Sequence, residues 1–349
     1  MIHINSTINL KWNSAYQDDS IEKSITGLKW ALSYLGASLP SGMGISHKNS
    51  VIKIDIIKLG FNFKAESYLL ELLQIIKSSE EYQVNDNIDV GRFIALTIGA
   101  SEHYYQIIHT PPFLEDVIDN YMFLEETGYV NNSGVALEHR IINFSEQFGL
   151  NQLFLSTEID SITGEIYEYE TIELLPNGQL RFGIYDSFGI RVSVADPDHT
   201  NAGKPAKCMW CHESSINPIF NVQNNYEGYL TFNEFQNTLL DFRSSHFNNR
   251  ENQFPNGVDF DQTQEHTLTE LLYISFMEPS AERLSHEWNM SLEEVKSITS
   301  GIPTHEHYEF PFLGNLFHRD DIKELAPFKG LEVSTSLREQ SEREVNYLN

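Results

Sequence analysis

The chain has 349 residues, of which 40% are hydrophobic and 12% aromatic. That is ample for a buried core, excludes global disorder, and suggests roughly two to three domains. Lys+Arg number 23 against 50 Asp+Glu, a net charge of −27. Such a field repels phosphate backbones and anionic lipid, so nucleic acid is excluded as a first partner.

No apolar run approaches the roughly 20 residues of a membrane helix. The opening MIHINSTINLKW has neither a basic n-region nor an apolar h-region. The chain therefore reads either as cytoplasmic or as a mature form whose leader has been removed. No fixed-period repeat is present, which argues against solenoids and propellers.

In chain order, Asp18, Asp19 and Ser20 can cap a helix that carries Ile21, Ile25, Leu28, Leu32 and Leu35 on one face and ends near Gly36. The alternating run Val51 to Ile57 suits a strand. Residues 65–79 place Leu69, Leu72, Leu73 and Ile76 at helical spacing. A third helix is expected over 88–107, and a fourth after Pro111-Pro112 through Phe113, Val117, Ile118 and Tyr121. From about 152 the period becomes two, and QLFLSTEID, EIYEYETIELL, QLRFGIYD and IRVSVAD predict an antiparallel meander of about four strands. Asn177-Gly178 marks one of its hairpins.

An irregular segment, 196–228, follows. Helices are expected again over 231–246 and 264–277 and from Ser291 as an N-cap, then a second irregular stretch at 300–321 and a polar, peripheral tail from about 332. The fold class is α+β, divided into a mainly helical region 1–150, a β-meander 151–196 and a mainly helical, cofactor-carrying region 197–349.

Cysteine is the informative count. There are two, Cys208 and Cys211, within Lys207-Cys208-Met209-Trp210-Cys211-His212. This C-x-x-C-H segment resembles the haem-attachment motif of c-type cytochromes. The resemblance implies thioether bonds from Cys208 and Cys211 to the haem vinyl groups, with His212 as the proximal iron ligand. It further implies Met277, 65 residues beyond His212, or else Met290, His305 or His307, as the distal ligand, and Trp210 as a ring beside the macrocycle. On this reading the protein is exported, because haem attachment happens outside the cytoplasm, and serves electron transfer or haem-based redox chemistry. Its acidic surface would then favour a basic redox partner.

Three other readings share these residues. Cys208 and Cys211 could join His305 and His307 in a structural zinc site of a non-haem binding module. They could form a redox-active C-x-x-C, or a local disulfide or inert thiols. Thr304-His305-Glu306-His307-Tyr308-Glu309 packs two imidazoles and two carboxylates together and is also readable as a polar loop. His286-Glu287 begins like H-E-x-x-H, but Met290 occupies the second His position. His103 is expected to pack or cap. Asp196-Pro197-Asp198 and Asp259-Phe260-Asp261 lack the continuation of a calcium loop. No G-x-G-x-x-G, P-loop or G-x-S-x-G occurs. The segments Cys208–His212 and 300–318 are expected to meet, with His305 or His307 within about a side chain's reach of the motif.

Overall fold

The computed structural model describes residues 5–40, 43–253 and 257–348. Residues 1–4 of the opening segment and residue 349 at the end of the tail lie outside the described residues. The first third holds β1 (Thr7–Lys11), α1 (Ile21–Tyr34), β2 (Ile45–Lys48), β3 (Val51–Asp55), α2 (Phe63–Ser78), α3 (Glu80–Asn85), β4 (Ile88–Asp89), α4 (Val90–Thr97), α5 (Ser101–Ile108) and α6 (Leu114–Ile118). Its strands form a small sheet in the order β2-β3-β1-β4. Ser20 caps α1 by accepting from the Lys23 amide, as its residue type favours. The single helix expected over 88–107 is instead a short strand and two helices. The chain closes α4 with the Gly99 amide on the Ile94 carbonyl, and the Glu344 carboxylate receives the Ser101 amide at 2.9 Å where α5 begins.

A second sheet follows, with β5 (Phe123–Val130), β6 (His139–Ser145), β7 (Leu153–Ile159), β8 (Ile166–Leu174) and β9 (Leu180–Asp186). These strands pair sequentially and antiparallel. The fold is thus α+β, with a central antiparallel sheet between helical ends. The meander nevertheless differs from expectation at both ends. It starts at 123 rather than about 152, so the boundary expected at 150/151 falls between the hydrogen-bonded partners β6 and β7. At its far end, IRVSVAD contributes only the isolated bridges Phe113↔Ile190 and Tyr185↔Arg191. The turn at Asp186–Gly189 folds the chain back before a sixth strand can form. The β8–β9 turn contains Asn177-Gly178 as expected, and Asn177 is buried, donating to the Ser33 and Ala37 carbonyls at 2.8 Å each.

The last third holds α7 (Pro205–His212), α8 (Phe232–Gln253), α9 (His266–Met277), α10 (Ala281–Glu287), α11 (Leu292–Ile298) and α12 (Arg319–Ile322). α9 lies against α1 so closely that a Cβ on Gly27 would meet the Leu268 backbone at 2.7 Å. Ser291 and Glu294 form a complete capping box on α11. The tail is not peripheral. Val333, Leu337, Val345 and Leu348 are buried, and Glu344 ties α5 to Lys204. Its polar residues serve as ion-pair partners, and the apolar ones between them supply the anchoring. One buried cluster includes Leu28, Phe144, Phe182, Met209, Leu271 and Leu337, so the three sequence regions share a core.

Candidate functional site

The motif segment, expected to be irregular, is the helix α7. Pro205 opens it, where the missing amide costs nothing. Lys204 precedes it with a buried ammonium bonded to the Ser336 carbonyl and to Glu344 at 2.7 Å. At the other end, Glu213 and Ser214 take left-handed backbone at φ 46° and 63°, a conformation disfavoured for non-glycine residues that the surroundings must hold in place. Tyr34 donates to, or accepts from, the Ser214 hydroxyl at 2.9 Å, and Arg250 donates to the Ser214 carbonyl at 2.7 Å. The turn sends residues 215–220 back over the sheet.

Helical spacing puts Cys208, Cys211 and His212 at i, i+3 and i+4, on one face. That face lines a cavity of ≈ 140 Å³. Val130, Ile142, Phe154 and Ile172 of the sheet, Ile216 and Phe220 of the returning loop, and Phe235 and Leu239 of α8 enclose it. Gly128 lets α8 approach, since a Cβ there would fall 2.5 Å from the Phe235 ring. Phe220 stacks on Phe235 at 4.8 Å and closes that side. The other polar side chains of the lining are Ser133, Arg140, Ser156, Glu170 and Asn217.

Both cysteines are free thiols. Burial, then the nearby Glu170 carboxylate, push the Cys208 thiol well up, and burial pushes Cys211 up to about 11. A redox-active C-x-x-C depends on a lowered thiol pKa, and this environment does the opposite. The His212 ring is buried 5.7 Å from that of Phe182, and burial lowers its pKa to about 4. It is therefore neutral near pH 7. Its Nδ1 is buried with no hydrogen-bond partner among the described residues. Two unpaired thiols and a neutral imidazole thus share one largely apolar cavity.

The remaining sequence candidates lie elsewhere. Trp210 points away from the cavity lining, with the Arg338 guanidinium 4.4 Å over its ring. Arg338 also binds Glu309 at 2.9 Å, so the 305–310 loop is linked to the motif helix through this one side chain. His305 bonds Glu278 at 2.8 Å and stacks on His318 at 4.2 Å. His307 accepts the Glu309 and Phe310 amides on Nδ1 at 3.3 Å each. Met277 packs against the main core and Met290 against a satellite cluster around Leu284 and Trp288. None of these four lines the cavity. His103 is buried, with Nδ1 at the Leu96 carbonyl and Nε2 accepting the Tyr347 amide at 2.7 Å. Among the described residues no group of three or more His, Cys, Asp or Glu is gathered as a metal site. No helix among them is long and apolar enough to cross a membrane.

The sequence reading missed the polar wall. Arg140 on β6 donates to Glu158 on β7 and, at 3.1–3.2 Å, to both Glu170 oxygens on β8 and to the Thr200 hydroxyl. Glu168, also on β8, receives the Asp196 amide at 2.8 Å. The signal was present as the i, i+2 pair Glu168 and Glu170 on one strand face, but its inward orientation could not be read without β6.

No family model, curated protein or solved structure matches the chain.

Proposed function

We propose that this is an exported c-type haem-binding protein acting in electron transfer or haem-based redox chemistry. The observation that supports it is the convergence of Cys208, Cys211 and His212 on one apolar cavity. When bound, the haem supplies a one-electron couple. Cys208 and Cys211 would anchor it, and the neutral His212 imidazole would ligate the iron. The enclosing side chains, Phe154, Phe220 and Phe235 among them, would limit water access and so influence the potential. Among the described residues Met277, Met290, His305 and His307 do not line the cavity, so none of them is assigned to the iron. With a net charge of −27, a basic partner would be steered to the protein, an effect that fades with salt.

The test is production in cells competent for haem attachment, with export supplied by an added leader. The expected product shows a Soret band that survives denaturation and acid–acetone extraction. Cys208→Ala with Cys211→Ala should abolish the chromophore while keeping helix and strand content, because the core extends well beyond α7. His212→Ala should retain some thioether attachment but change the spectrum and the potential. A colourless wild type that instead binds one equivalent of zinc with high affinity would overturn the proposal.

A further inference from the structure

The cavity beside α7 encloses ≈ 140 Å³. An apolar protein cavity of about 150 Å³ takes up one benzene molecule, so this space suits a single ring and is well below what a drug-sized molecule needs. Sheet register builds one side of it. Ile142, Ser156 and Glu170 stand in one row across β6, β7 and β8, and Phe154 with Ile172 in the next. All five line the cavity. Phe220, stacked on Phe235 at 4.8 Å, closes the other side with Leu239. Among these apolar groups the Ser156 hydroxyl is buried without a hydrogen-bond partner among the described residues. A buried polar atom left unpaired is costly, and it is the group that an incoming molecule gains most by satisfying.

We propose that this cavity binds a small neutral aromatic alcohol of the phenol class, with its ring among Phe154, Phe220 and Phe235 and its hydroxyl paired with Ser156. Ser156 suits either sense of that bond, because a hydroxyl both donates and accepts. The sulfurs of Cys208 and Cys211, which also line the space, make favourable contacts with ring edges.

The charges around the cavity select a neutral ligand. Arg140 is the cation of the lining, and it is already paired with Glu158 and Glu170. A carboxylate would therefore meet more negative charge than positive, and an ammonium would have to part Glu170 from Arg140. On α7, burial keeps both thiols protonated and the His212 ring uncharged near pH 7, so the helix offers no counter-charge to an ionic head. The inference stands apart from the haem reading. A haem is much larger than this space, so one held by the motif would push Phe220 and α8 off the sheet and exclude the smaller ligand.

The experiment is therefore made on the full chain free of haem. Phenol, toluene and benzoate are titrated into it calorimetrically at pH 7, and the melting temperature is followed in parallel. Phenol should bind at one site per chain and raise the melting temperature with concentration. Toluene should bind at least about fivefold more weakly, because it leaves the Ser156 hydroxyl unpaired. Benzoate should bind at least about tenfold more weakly, because its charge must be buried beside Glu170. Ser156→Ala should erase the preference for phenol over toluene. If that variant does not fold, alkylation of wild-type Cys208 and Cys211 gives a second measurement, which phenol should slow and benzoate should not. No response to phenol means a cavity that holds only water and overturns the inference. Equal affinities for phenol and toluene, or an unchanged preference in Ser156→Ala, overturn the Ser156 bond, and benzoate binding as tightly as phenol overturns the neutral class. A chain that never acquires haem in competent cells removes the haem reading and leaves this result standing.

Discussion

Among the described residues, the buried charges around Phe276 and those around Arg140 differ in their balance. In the first, Arg92 pairs with Glu81 at 2.7 Å, Arg283 with Asp89 at 2.7 Å and Glu287 at 2.5 Å, and Arg319 with Glu287 at 2.6 Å. Three guanidiniums meet three carboxylates, and all three cations lie 4.2–5.9 Å from the Phe276 ring centroid. The network joins β4 and α4 to α10 and α12. Although burial opposes it, Arg319 and Arg283 hold Glu287 down to about 2; burial still pushes Glu81 upward against Arg92. In the second network Arg140 alone pairs with Glu158 and Glu170, while Glu168 accepts the Asp196 amide, and the Glu158 and Glu168 carboxyls are driven upward. A balanced buried network positions elements. An unbalanced one titrates, and such groups beside a cavity are where chemistry is sought.

The largest expected effect comes from unbalancing the first network. Glu287→Ala leaves Arg283 and Arg319 without their shared carboxylate and should cost about 3–5 kcal/mol of stability in denaturant titration. The cavity beside α7 lies on other elements and, on the proposed haem reading, should still take up a chromophore. A loss below about 1 kcal/mol would show that the network is not the clamp it resembles.

Arg140→Met should cost less, about 1.5–3 kcal/mol, the range for hydrogen bonds to charged groups, because the carboxyls it abandons can take up protons. The cost should grow with pH, since losing the cation raises those carboxyls further. Stability measured at pH 6 and pH 9 decides this, and a pH-independent loss would contradict the unbalanced assignment.

The pH profile of the intact protein should show both networks with opposite signs. Glu158 and Glu168, raised from 4.5 to about 7 and about 9, contribute stability that is complete below about 4.5. It is lost as pH rises through their folded values. Glu287, lowered to about 2, contributes stability present above about 4.5 and lost as pH falls through 2. His212 and His246, buried and lowered from 6.5 to about 4 and about 3, add to the acid loss. Thermal melts from pH 3 to 10 should therefore fall on both sides, and Glu158→Gln with Glu168→Gln should flatten the alkaline side alone.

The smallest effect is the sharpest check. Near pH 4 Glu168 carries its proton in both the folded and the unfolded chain, so Glu168→Gln should change stability by less than about 1 kcal/mol there, a near-isosteric neutral exchange. A large loss at pH 4 would mean that the carboxyl is ionised and paired.

Much of the scaffold was readable locally. Ser20 and Ser291 cap helices because a hydroxyl before a first turn satisfies a free amide wherever the helix packs. Asn177-Gly178 makes its hairpin because Gly178 adopts φ 80° at little cost. Strands β5 and β6 were missed because FLEETGYV and HRIINFS mix polar and apolar residues, and their pairing is settled by neighbours rather than by alternation. The cysteine spacing itself determined that Cys208, Cys211 and His212 share a helix face, since 3.6 residues per turn leaves no other outcome once α7 forms. What stands opposite that face was decided by tertiary structure alone. Arg140 reaches Glu158 and Glu170 across 18 and 30 residues of chain, and Glu344 reaches Lys204 across 140. Contacts of that separation depend on strand register and on a returning tail, and no local pattern of residues encodes either.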